Sequence, residues 1–212
     1  MVHKVVDRRR TLLMVCDVQE RFREGTHGFD HMAQSISKLI RAAKFLGMAT
    51  LLTEQNGSGP TAHEVKSVIN GPQHIGTFGK DGFSMITDET EDIVFKYDNF
   101  LLVGIEAHVC ILQTALDLLD IPKNRKRVYV LADAISACHE LEIPLAFDRM
   151  RDEGAVVTTS EAILFQLMGD GTSGDDTPIS DLIKAERKNT AKALETLLPH
   201  PSQTAPIRKG GI

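Results

Sequence analysis

Cys110, Asp17 and Lys80 are the residues whose types and positions could do chemistry together. Cys110 follows the apolar run Phe100-Leu101-Leu102-Val103-Gly104-Ile105 and opens an amphipathic stretch, Cys110-Ile111-Leu112-Gln113-Thr114-Ala115-Leu116. This setting puts a thiol where a buried strand turns into a helix, in the positive end of the helix dipole, which favours thiolate over thiol. The thiolate is the form that attacks a carbonyl carbon. Asp17 ends the run Leu12-Leu13-Met14-Val15-Cys16 and can accept the thiol proton. Lys80, after Phe78-Gly79, can supply a cation. Singly, each has an ordinary role as packing residue, helix cap or loop lysine. Together they bring nucleophile, proton acceptor and cation to one rim.

The elements that must position them are six short apolar runs, at Thr11–Cys16, 49–53, 74–78, Asn99–Ile105, 127–132 and 154–158. Helix-like segments alternate with them at 32–46, 63–69, 109–119, 142–153 and 161–168. Continuous apolar runs fit strands covered on both faces. Strand–helix alternation then predicts a doubly wound α/β sandwich, in which ligands bind outside the carboxyl ends of the strands. The segment 88–96 reads either as a strand, through Ile93-Val94-Phe95, or as a short helix after its acidic start. Thr177-Pro178-Ile179-Ser180-Asp181 marks the start of a C-terminal helix.

By this reading residues 1–10 form a short solvated arm and 11–170 the single domain. A Gly/Asp/Ser-rich linker and the C-terminal helix fill 171–198, and 199–212 form a mobile tail. A chain of 212 residues with 42% hydrophobic content suits one sizeable domain. The net charge of −5, two tyrosines and no tryptophan argue against a nucleic-acid partner. Three cysteines make no disulfide framework, so a reducing compartment is expected: the cytoplasm, with mitochondrial import as the alternative. No run approaches the ~18–20 apolar residues of a membrane span.

Cys16-Asp17-Val18-Gln19, Phe78-Gly79-Lys80 and Gly104-Ile105-Glu106-Ala107-His108-Val109-Cys110 together resemble the isochorismatase-like cysteine hydrolases. The likeness spans about residues 11–170 and is strengthened by Gln19-Glu20-Arg21-Phe22-Arg23, Thr53-Glu54-Gln55 and Phe83-Ser84-Met85. It implies a Rossmann-like three-layer α/β sandwich with a six-stranded parallel sheet of order 3-2-1-4-5-6. It also implies an Asp17–Lys80–Cys110 triad, a non-proline cis peptide at Ile105–Glu106, and an oxyanion hole from the amides of Glu106 and Cys110. On this scheme Asp17 takes the thiol proton as Cys110 attacks a carbonyl of a small molecule. Lys80 stabilises the thiolate, a thioester forms, and water activated by Asp17 hydrolyses it.

Gln19, Phe22, Phe83, Met85, His108 and Gln113 are the candidates to line the substrate site. No cofactor and no catalytic metal are expected. The metal-binding Asp-x-His arrangement of related nicotinamidases has no counterpart in Thr53-Glu54-Gln55-Asn56-Gly57. Cys16 and Cys138 are expected to be packing residues. Homo-oligomerisation is expected, with the C-terminal helix as the segment that could pack on a neighbour. A catalytically idle scaffold of the same fold is the competing function. A ribonuclease, the name borne by a protozoan branch of the same group, is the third.

Overall fold

The computed structural model describes residues 6–121, 126–169 and 177–198. The linker between 170 and 176 and the tail from 199 lie outside them. Six strands, β1 (Thr11–Cys16), β2 (Ala49–Gln55), β3 (His74–Lys80), β4 (Asn99–Ile105), β5 (Arg127–Ser136) and β6 (Val156–Thr158), form one sheet. Its order is β3-β2-β1-β4-β5-β6, the order the resemblance implies, and every pairing is parallel, as the strand–helix alternation predicts. The order reverses beside β1, so the carboxyl ends of β1 and β4 flank the switch point at which such sheets bind ligands.

The helices are α1 (Phe29–Leu46), α2 (His63–Lys66), α3 (Glu91–Val94), α4 (Leu112–Asp120), α5 (Glu142–Asp152), α6 (Ser160–Met168) and α7 (Thr177–Leu197). The ambiguous 88–96 segment thus holds a short helix. Strand periodicity splits β1 between two cores. Leu13 and Val15 pack with α1, α6 and α7 on one face, whereas Leu12, Met14 and Cys16 pack with α4 and α5 on the other. All six residues of β1 are buried, which is why it reads as an unbroken apolar run. Truncating a core side chain such as Leu13 to alanine should cost about 2–5 kcal/mol.

Two terminal segments differ from expectation. Val6 is buried in the α1-side core and Arg10 pairs with Asp98, so the leading arm is held on the domain from residue 6 onward. Helix α7 lays Ile179, Leu182, Ala193 and Leu197 into that same core against α1. Its apolar stripe is used within the chain and is not free to pack on a neighbour. The amphipathic periodicity was legible, but periodicity does not say which surface the stripe covers.

Candidate active site

Each residue of the expected triad sits where a strand ends. Asp17 follows β1 with φ of 51°, the one non-glycine left-handed backbone among the described residues. Left-handed backbone is costly for most side chains and least so for Asn and Asp. Hydrogen bonds hold it there: its amide donates to Thr53 O at 3.1 Å, and Thr53 Oγ1 donates to Asp17 Oδ1 at 2.8 Å. Lys80 closes β3 opposite Gln55, the last residue of β2. Its ammonium donates to Gln55 Oε1 at 2.8 Å and Gly82 O at 2.9 Å, lies 2.7 Å from Asp17 Oδ2, and reaches Cys110 Sγ at 3.6 Å. Asp17 and Lys80 are fully buried, and Cys110 keeps 8% exposure.

Cys110 belongs to a π-helical turn, Ala107–Ile111, that leads directly into α4. Such turns widen the helix and recur at functional sites. The turn is fed by Gly104, whose φ of 123° suits glycine and whose imagined Cβ would lie 2.1 Å from Cys16 O. Helix α4 is anchored from above: Thr114 Oγ1 donates to Cys110 O at 2.7 Å and accepts from Met85 N at 2.9 Å.

The expected cis peptide at Ile105–Glu106 is absent, and every described peptide bond is trans.

Cys16 is the residue that sequence reading passed over. Its side chain points to the α4 face, and a sulfur or oxygen of Cys16, Asp17 and Cys110 all lie within 4.8 Å of one another. The neighbouring Cys16 thiol pulls the Cys110 thiol pKa below its ordinary value against the opposing effect of burial, with the Lys80 charge helping. Cys16, by burial first and by its nearness to Cys110 second, is pushed well up and stays a thiol. Burial alone would lower Lys80, but the acidic groups beside it, Asp17 and Cys110, outweigh that and raise it. The group is a buried cation with a thiolate-prone sulfur and a carboxylate on either side. With Lys80 already placed as their cation, Cys16, Asp17 and Cys110 make a poor metal site despite their ligand types.

Residues 11–162 match the isochorismatase domain. The chain belongs to the isochorismatase domain family. It is 38% identical over 167 residues to isochorismatase domain-containing protein 2 of Xenopus laevis, covering 76% of this chain and 78% of that one. It is 36% identical over 184 residues to the secreted isochorismatase effector Isc1 of Phytophthora sojae, covering 84% and 86%. Among solved structures, the MAR1 ribonuclease of Caenorhabditis elegans aligns with a TM-score of 0.76 at 33% identity, over 95% of this chain and 98% of that one.

Within this isochorismatase domain the expected lining residues take different places. Gln19 is fully buried and spends its amide on Gln55 O, Gly59 O and Gln55 N, so it ties the β1 loop to the β2 loop. Phe22 is half-buried and packs with the α1-side core. Met85 is buried in the same core as Cys16 and Cys110, while Phe83 stands exposed in the loop after β3 and Gln113 is exposed on α4. His108 turns to Glu106, with Nδ1 3.6 Å from Oε2, and among the described residues no hydrogen bond or ion pair joins it to Asp17, Lys80 or Cys110. Gln55 was the positioning residue that strand-end reading could have found, since it closes β2 as Lys80 closes β3. No helix of the described residues is long and apolar enough to cross a membrane.

Proposed function

We propose that this isochorismatase-family chain is a cysteine-dependent hydrolase of small molecules with an amide-like or related carbonyl. The observation that carries the reading is the Lys80 ammonium, 2.7 Å from Asp17 Oδ2 and 3.6 Å from Cys110 Sγ in a closed setting. Cys110 attacks the carbonyl carbon and its proton passes to Asp17. The oxyanion rests on the amides of Glu106 and Cys110, where one donor is typically worth about 3–4 kcal/mol. The leaving group departs with the proton from Asp17, and water activated by Asp17 releases the acid from the thioester. Cys16 keeps the thiolate low and itself remains protonated.

The test is trapping. A panel of small amides and esters is incubated with the protein, and mass spectrometry looks for an acyl adduct on the peptide holding Cys110. An adduct that disappears in Cys110→Ala supports the reading. Turnover that persists undiminished in Cys110→Ala would end it, and labelling of Cys110 no faster than of a free thiol would favour the idle scaffold.

The name of the Caenorhabditis elegans relative raises a ribonuclease reading. The net charge of −5 runs against the electrostatic footprint of such enzymes. Pure protein that degrades RNA equally with and without Cys110 would favour it over the thioester scheme. We also propose self-association: Leu141 and Leu145, one turn apart around the start of α5, are exposed. A light-scattering mass at a multiple of 23.4 kDa would support it, and a monomer mass would remove it.

A further inference from the structure

At the carboxyl ends of β4 and β5, outside the Asp17–Lys80–Cys110 group, three side chains of different chemistry converge. Glu106, His108 and Cys138 bring a carboxylate oxygen, an imidazole nitrogen and a thiol sulfur within 4.8 Å of one another. They come from separate segments: Glu106 from the residue that leads into the π-turn after β4, His108 from that turn, and Cys138 from the loop after β5. The fold assembles them, since 30 residues separate His108 from Cys138. The Glu106 carboxylate already reaches across, accepting from Cys138 N at 3.0 and 3.1 Å. His108 Nδ1 is closed to solvent and has no hydrogen-bond partner among the described residues, its nearest acid being Glu106 Oε2 at 3.6 Å. A buried ring nitrogen without a partner is a costly group to keep, and ligation is one of the few ways to satisfy it.

We propose that Glu106, His108 and Cys138 form a site for one borderline divalent cation of the zinc type. Oxygen, nitrogen and sulfur donors in one set suit Zn²⁺ or Co²⁺, whereas Ca²⁺ and Mg²⁺ prefer oxygen alone. Three protein ligands leave the fourth tetrahedral position to water or to a ligand. Cys138 is exposed and borders a cleft of about 520 Å³ that Glu24, Thr26, His27 and Glu140 also line. Two carboxylates in that cleft favour an approaching cation, and the cleft gives it an entry path. The contrast with the buried cluster of Cys16, Asp17 and Cys110 is electrostatic: there Lys80 already provides the positive charge. Glu106 joins the two regions, because its side chain holds the cation and its backbone begins the turn that carries Cys110. The three ligands need no nucleophilic role of Cys110.

The experiment is Co²⁺ titration of the purified full chain, followed by its thiolate-to-cobalt charge-transfer absorption and reversed with Zn²⁺. One equivalent of cobalt should develop the band, and zinc should abolish it. The band should persist in Cys110→Ser, vanish in Cys138→Ser and be lost or markedly weakened in His108→Ala. Cys138 is exposed, so its serine variant should fold, which circular dichroism checks. No band in the wild type would overturn the proposal. So would a band that survives Cys138→Ser, one that disappears in Cys110→Ser and so places the metal with Asp17, or undiminished affinity in His108→Ala.

Discussion

Asp17 and Lys80 form an ion pair closed to water, Oδ2 to Nζ 2.7 Å, with side chains almost fully buried. Nothing in the local sequence links them; the pairing exists because β1 and β3 flank β2 and end level with it. A buried pair broken on one side leaves an uncompensated charge, which typically costs about 3–5 kcal/mol. Lys80→Met should therefore lower unfolding stability in urea by that amount. Lys80→Met with Asp17→Asn should lose less than the two single changes summed. A loss under about 1 kcal/mol in Lys80→Met would mean that water reaches the pair.

The pH dependence of Cys110 alkylation follows from its neighbours. The wild-type thiol should titrate below its ordinary value of 9.0, because Cys16 and Lys80 favour the thiolate. Cys16→Ala removes the neighbouring thiol and should move the midpoint up, as should Lys80→Met. Asp17→Asn removes a negative charge that disfavours the thiolate and should move it down. Rates of iodoacetamide labelling across pH check all three. A midpoint unchanged in Cys16→Ala would return Cys16 to the role of plain packing residue.

Gly104 should tolerate no side chain. A Cβ there meets Cys16 O at 2.1 Å, and φ of 123° excludes most residues in any case. The obstructing atom is backbone of a central strand, so it has no room to yield. Gly104→Ala should cost at least about 4 kcal/mol or prevent folding. A thermal midpoint within a few degrees of wild type would show that β4 can move away from β1.

A second buried network ties the helices of the α1 layer together. Lys38 Nζ donates to Ser160 Oγ at 2.7 Å and to Thr190 Oγ1 at 2.8 Å, and Ser160 N donates to Asp133 Oδ1 at 2.7 Å. Asp133→Ala should lose about 3–5 kcal/mol, since it strands the Lys38 charge and the Ser160 donors. Burial lowers the Lys38 pKa from the ordinary 10.5. The unfolded chain then binds more protons between the lowered folded value and 10.5, so this group's penalty is full below that window and eases as pH rises through it. Denaturant curves of wild type and Lys38→Met across that range should show wild type gaining relative stability with pH; a constant difference would contradict the burial argument.

The apolar runs at β1 and β4 determined two fully buried central strands, because burial on both faces leaves a continuous signature that needs no partner to be seen. Strand–helix alternation determined a parallel sheet, and residue types at strand ends marked Asp17, Lys80 and Cys110 as candidates for chemistry. Boundaries were less legible: β5 runs on to Ser136 and β2 to Gln55, because pairing with the neighbouring strands continues past the end of each apolar run.

Tertiary structure decided the rest. Cys16 looked like any core residue until strand pleating turned it toward Cys110 while Val15 faced α1. His108 was expected to line the substrate site, and only the structure shows its ring beside Glu106. Helix α7 looked available to a second copy until it covered α1. In each case the side chain's type was readable along the chain. Its partner was not, because partners are chosen by strand order, pleat and helical phase, which relate residues far apart in sequence.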